Sequence, residues 1–499
     1  MPFKFWILSL LFWLGCLVPC FAAEMPDSAK VGHLLDRISF GPRPGEVAQV
    51  EAIGIDRYLQ QQLNPTTLPE SPPLQQRLAP LETLRLSPPE ILRQFTDTRQ
   101  QIRDLQQRQQ LDTATVRSIN RQTTVVNQQA QQAKVLRSLY SNRQLEEVMV
   151  DFWYNHFNVS IEKGLSRLWA GDYEQRAIRP YALGQFRQLL GATAYHPAMQ
   201  YYLDNWRNTA PESPGARGAY RGLNENYARE LMELHTLGVE GGYSQQDVTT
   251  LARIFTGWGF CQESTRADGF CFEAQRHDAS AKVFLGQAIA PGGLEQGEQA
   301  LDLLANSPAT AAHISYKLAQ YFVADDPPQA LVNRLAQKFL ATEGNIRQVL
   351  LTLFQSPEFW DSQALNAKFK TPFQFVISSL RALNLPVKDP SSLLTFLNLQ
   401  GMPVYGCESP QGYPNTEIAW LSSDAMLRRL SWATSLTRDR PLRNRLNGQP
   451  PAANLPPVNP NELAQTLGSL SAETRDAIAT SPPNLKAALL LSSPEWMYR

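Results

Sequence analysis

Apolar residues in this chain return every three or four positions and almost nowhere every second one, and the prolines gather between such stretches rather than inside them. A repeat of three to four is the signature of an amphipathic helix, whereas a half-buried strand alternates. Proline breaks a helix interior but is welcome in its first turn. Ser71-Pro72-Pro73 and Ser87-Pro88-Pro89 therefore read as punctuation, with Glu90 placed favourably at the opening of the next helix. The expected fold class is all-α. A chain of 499 residues exceeds the roughly 250–300 at which single cores stop growing, so two packed helical lobes joined by long proline-rich loops are expected.

The first residues predict export. Lys4 precedes an apolar run from Phe5 to Val18, and Cys20, Phe21, Ala22 and Ala23 end it with small residues, as in a cleaved secretory leader spanning 1–23. An uncleaved anchor and lipid attachment at Cys16 or Cys20 are the competing readings, the latter a poor match to Trp13 and Pro19. Beyond the leader the chain divides into an N-terminal helical region (24–140), a motif-rich central region (141–300) and a C-terminal helical region (301–499). A Gln-rich insertion at about 93–134 carries a thin apolar stripe of Phe95, Ile102, Leu105, Val116, Ile119 and Val126, which predicts a long solvated helix or hairpin, with a coiled-coil partner site as the functional alternative.

Lys and Arg total 46 against 46 Asp and Glu, so no electrostatic footprint for nucleic acid is present. Only Cys261, Cys271 and Cys407 follow the leader. In an oxidising compartment the first two are close enough to form a disulfide, and they make no Cys-x-x-Cys pair for zinc or redox chemistry.

Two segments hold the candidate chemistry. In Leu145–Phe157, Leu145, Val148, Met149, Phe152 and His156 share one helical face, which turns His156 inward. In Asn224–Gly238, a helix closed by Gly238, Asn226, Arg229, Glu230 and Glu233 share a polar arc, while Tyr227, Leu231 and Leu234 share the opposite one with His235 at its centre. The plain reading is an amphipathic helix with an Arg229–Glu233 surface pair and core histidines bonded to carbonyls. The sharper reading aims Glu230 and Glu233 into a cleft shared with His156, His196 or His277, as an acid/base set or as ligands of a divalent metal. No His-Glu-x-x-His is present to name a metal. His196 before Pro197 suits a helix cap as well as a site, and His277-Asp278 lies on a loop where function concentrates. Ser356-Pro357 and Ser493-Pro494 each follow a helix and predict a capped, proline-started successor.

Taken together, His33–Pro42, Trp153-Tyr154-Asn155-His156-Phe157-Asn158, Tyr173-Glu174, His196–Met199, Asn224–Gly238, Gly242–Gln245 with Asp247-Val248, His277-Asp278 with Lys282 and Phe284-Leu285-Gly286, and Gly412-Tyr413-Pro414 with Trp420 resemble a widespread bacterial family of exported proteins, domain of unknown function 1800. The Gln-rich insertion and Gln200 depart from its usual pattern. The resemblance implies an all-helical exported protein, frequently encoded beside exported proteins of sulfatase-like fold, and implies no particular activity. The leading expectation is a cell-envelope binding or accessory component with such a partner. The alternative is an envelope hydrolase with Glu230 or Glu233 as base or ligand and His156, His235 or His277 with Asp278 completing the site, Asn224, Asn226, Arg229 and His196 holding the substrate.

Overall fold

In the computed structural model the described residues are Met25, 27–107, 113–218, 220–264, 266–450, Ala453, 457–468 and 470–499. The leader expectation falls on 1–23, outside them. Helices follow one another through the described chain, and strand is confined to two short hairpins. No described helix is long and apolar enough to cross a membrane. The architecture is all-α.

The helices start where the sequence supplies caps. Thr371 closes a capping box with Gln374 ahead of Pro372–Ala382, and Ser244 does so with Asp247 ahead of Gln245–Ile254. Ser493 caps Pro494–Met497, its Oγ accepting from Trp496 N at 3.2 Å. The matching phrase at Ser356 behaves differently, and the helix expected there is absent. Ser356 Oγ instead donates back to Leu353 O at 2.7 Å, and Trp360 Nε1 donates to Phe354 O at 2.8 Å, so both side chains finish the preceding helix and the segment stays a turn.

The Gln-rich insertion pairs Pro88–Gln107 with Thr113–Tyr140, the second running on into the core. Phe95, Ile102, Leu105 and Val126 are half-buried; the side chains of Val116 and Ile119 lie outside the described residues. One contiguous apolar cluster runs from Val31 to Met497 and draws on all three regions of the chain, with a small satellite of Leu74, Leu81, Ala133 and Leu136.

The hairpins escape a reading by alternation because each strand has three residues. Trp258–Phe260 pairs with Phe270–Phe272, and the Cys261–Cys271 disulfide bridges this hairpin. Lys282–Phe284 pairs with Gln287–Ile289 through Leu285 and Gly286, whose φ values of 49° and 75° are those of a two-residue hairpin turn. Asp247 ties this turn to helix Gln245–Ile254, accepting from Leu285 N at 3.0 Å.

Candidate functional site

Helix Asn226–Glu230 does not continue regularly to Gly238. It widens into a π-helical segment, Leu231–His235, which breaks the simple 100° phasing expected for this stretch. Tyr227, Leu231 and His235 are buried, but Leu234 is turned out beside Glu233 into a cavity wall, correcting its expected place on the core arc. The widened turn leaves two carbonyls to be satisfied from outside. His313 Nε2 donates to Leu234 O at 3.2 Å, and His156 Nε2 donates to His235 O at 3.1 Å. A carbonyl only accepts, so Nε2 carries the proton in both rings and each Nδ1 holds a lone pair. Gly238 completes the turn at φ 82°, its N donating to Met232 O at 3.1 Å; a Cβ there would stand 3.0 Å from His313 Nδ1. Glycine is thus required twice over, by conformation and by space.

These groups border a cavity of about 630 Å³ between helices Gln144–His156 and Pro308–Phe322, roofed by residues 402–416. The roof is fastened from below through main chain. Asn155 Nδ2 donates to Tyr413 O at 2.9 Å while its Oδ1 accepts from Tyr413 N at 2.7 Å. Asn158 Nδ2 donates to Cys407 O and Ser409 O, and Tyr202 Oη to Glu408 O. Gly412 lies directly on Asn155, where a Cβ would come within 2.2 Å of its carbonyl oxygen. This is why Asn155, Asn158, Gly412 and Tyr413 occur together in a chain that separates them by some 250 positions.

One wall presents Lys134, Asp151 and Tyr405, with an ionic network behind them. Lys134 Nζ lies 2.8 Å from Asp151 and 3.3 Å from Glu174; Arg179 reaches Glu147 at 2.6 Å and Glu174 at 3.3 Å; and Tyr405 Oη donates to Glu174 at 2.9 Å. Burial opposes charge on Lys134, yet Asp151 and Glu174 hold its pKa above the ordinary value; burial likewise opposes charge on Glu174, which Lys134 and Arg179 hold below its own. The other wall is helix Pro308–Phe322, with His313, Tyr316, Lys317, Gln320 and Tyr321 along it. Burial lowers His313 to about 4 and His235 to about 3, lowers His156 strongly, and lowers Lys317. All three imidazoles are neutral at pH 7.

The expected site residues are thereby divided. His156 and Glu233 meet at the cavity, Glu233 with Arg229 3.7 Å away. Glu230 is half-buried, its pKa raised by burial and then by Glu233, but it is not in the cavity lining. His235 lies behind the wall, its ring 6.1 Å from that of His156. His196 caps Pro197–Tyr202, its Nδ1 accepting from Ala198 N and its Nε2 donating to Asp172 at 2.9 Å. His277 donates through Nδ1 to Thr256 O at 2.9 Å, and Asp278 is held by Arg253 at 2.7 Å, well below its usual pKa, through burial opposed by Ser280 and Arg253; neither borders the cavity. Asn224 receives nothing from a cavity group: its N donates to Asn208 Oδ1, while its Oδ1 accepts from Asn226 N. Asn226 Nδ2 donates to Leu203 O at 3.3 Å.

Among the described residues the three-ligand cluster compact enough for a metal is Glu70, Glu146 and Glu147, whose atoms lie within 4.8 Å of one another. Arg179 grips Glu147 bidentately and Arg143 stands 3.7 Å from Glu70, so guanidinium groups already occupy it. His156, Glu233 and His313 do not converge to that degree.

Missing from the sequence reading were His313, Tyr316, Lys317, Gln320 and Tyr321. The signal was present, because positions i, i+3, i+4, i+7 and i+8 form a polar stripe on an otherwise apolar helix.

The motifs that build this cavity and its roof are those of one family. A family profile described as "Protein of unknown function (DUF1800)" matches residues 33–498. The chain belongs to this family. The DUF1800 match takes in the imidazoles, the π-helical segment and the roof together. No curated protein and no solved structure matches the chain.

Proposed function

We propose that this chain is an exported cell-envelope component that binds a ligand in the cavity between Gln144–His156 and Pro308–Phe322. The export reading is supported by the N-terminal apolar run after Lys4 and by the Cys261–Cys271 disulfide, a bond that persists in oxidising compartments. An exported sulfatase-like protein is its proposed partner, on the family resemblance alone. The binding reading is carried by one observation: a cavity of about 630 Å³, within the roughly 300–1,000 Å³ of small-ligand sites, combines aromatic rings with polar groups that the fold leaves partly unused.

Binding is favoured over hydrolysis because neither His156 nor His313 hydrogen-bonds a hydroxyl, thiol or carboxylate among the described residues. Each spends its Nε2 proton on a main-chain carbonyl. The test is loosening of the roof. Asn155→Ala removes both bonds to Tyr413, and is expected to keep the far-ultraviolet circular dichroism of the wild type, speed protease cleavage within 402–416, and weaken saturable binding of cavity-sized fragments seen by NMR. Wild-type protein that binds no fragment in this cavity at millimolar concentration would sink the reading.

A further inference from the structure

The charges around the cavity are not equally provided for. Lys134 has Asp151 and Glu174, and Glu233 has Arg229. Lys317 has no carboxylate within 4.0 Å and no hydrogen-bond partner among the described residues; it lines the cavity and its ionisable neighbours are His156 and His313. A partly desolvated ammonium without a counter-ion is a standing cost to the fold, and such violations concentrate where a ligand completes the set.

The imidazoles beside it narrow that ligand. With Nε2 donating to main chain, His156 offers only an acceptor at Nδ1, and that atom has no protein partner. His313 Nδ1 is covered by Gly238. A complementary molecule must therefore accept from an ammonium and donate to a ring nitrogen beside it. A bare anion satisfies the first and is repelled by the second lone pair; a neutral polyol satisfies only the second. The tyrosines add shape. Tyr154 Oη donates to Val159 O, Tyr413 Oη to Pro403 O and Tyr405 Oη to Glu174, so these residues offer mainly ring surface.

We infer that the cavity receives an acidic sugar unit, a hydroxylated ring bearing one carboxylate or sulfate, with the anion on Lys317 and a hydroxyl donating to His156 Nδ1. This rests on the reading of the cavity as a binding site and names the ligand class for it.

Calorimetric titration of the full mature chain with oligogalacturonate, its neutral galactose counterpart, glucosamine, acetate and glycerol phosphate separates the outcomes. Saturable binding of the uronate is expected, with the neutral sugar and acetate at least about tenfold weaker. Lys317→Gln is expected to weaken uronate binding by about tenfold to a hundredfold, as loss of a desolvated charge pair does, while Lys317→Arg stays within a few-fold. Equal affinity for the neutral sugar, tighter binding of glucosamine or glycerol phosphate, or unchanged affinity in Lys317→Gln would overturn the ligand class and leave the binding site standing. Failure of every probe, neutral ones included, counts against the class, and failure of the NMR fragments as well removes the binding site itself.

Discussion

The two walls of the cavity treat their ionisable groups in opposite ways. Around Lys134 the ammonium, Asp151, Glu174 and Arg179 each have an opposite charge within 3.3 Å, whereas around Lys317 the imidazoles are stripped of charge and the ammonium faces them alone. The first arrangement holds helices together. The second leaves hydrogen-bonding capacity unspent, and unspent capacity at a cavity surface is what a ligand uses. Buried polarity by itself is therefore a poor guide to function; its degree of satisfaction discriminates.

The comparison breaks first at Glu174. Glu174→Ala leaves Lys134 with Asp151 alone, Arg179 with Glu147 alone and the Tyr405 hydroxyl without its acceptor, and such a loss from a buried ionic set costs up to about 3–5 kcal/mol. Urea unfolding should show it as a lowered midpoint at unchanged slope. If the loss is under about 1 kcal/mol, this wall is no better provided for than the other.

Acid probes the imidazole wall. Above pH 6.5 His313 is neutral both folded and unfolded, so it contributes no pH dependence; as pH falls from 6.5 towards about 4 the unfolded chain takes up a proton that the fold refuses, and stability drops. The limit for His313 is about 3 kcal/mol at pH 4. His33, His156, His235 and His277, all lowered chiefly by burial, add in the same direction. The share of His313 is read as the difference in pH slope between wild type and His313→Gln, which keeps a donor for Leu234 O. Identical slopes would mean that its ring is charged in the fold.

Smaller effects sharpen the contrast. Tyr405→Phe deletes a hydrogen bond to a charged carboxylate and is expected to cost about 1.5–3 kcal/mol, measured by thermal unfolding. Lys317→Met should move stability by no more than about 1 kcal/mol and towards greater stability, since it removes an unpaired, partly desolvated ammonium. A clear loss in that variant would reveal a counter-ion for Lys317.

Much of the helical architecture was legible because proline punctuation and the three-to-four repeat are local properties. His156 could be placed facing inward from the spacing Leu145, Val148, Met149, Phe152 alone. What escaped was non-local or irregular. The π-helical widening at Leu231–His235 depends on donors from His156 and His313, roughly 80 positions away on either side, so regular phasing misplaced Leu234. His277 and Asp278 sit between two hairpins too short to be read by alternation, and their partners are Thr256 and Arg253 rather than cavity groups. The stripe on Pro308–Phe322 lies in the spacing, but the role of His313 depends on Leu234 O, an acceptor 79 positions away.

The fastening of the roof has a consequence for how such a protein diversifies. Asn155, Asn158 and Tyr202 grip carbonyl and amide groups of residues 407–413, and almost any amino acid supplies those groups. Away from Gly412, whose backbone angle and close approach forbid a side chain, and from Tyr405 and Tyr413, whose hydroxyls hold Glu174 and Pro403 O, side chains of the roof can change while its main-chain hinges keep their hold. A single scaffold of this kind can retain its floor and exchange the chemistry presented from above.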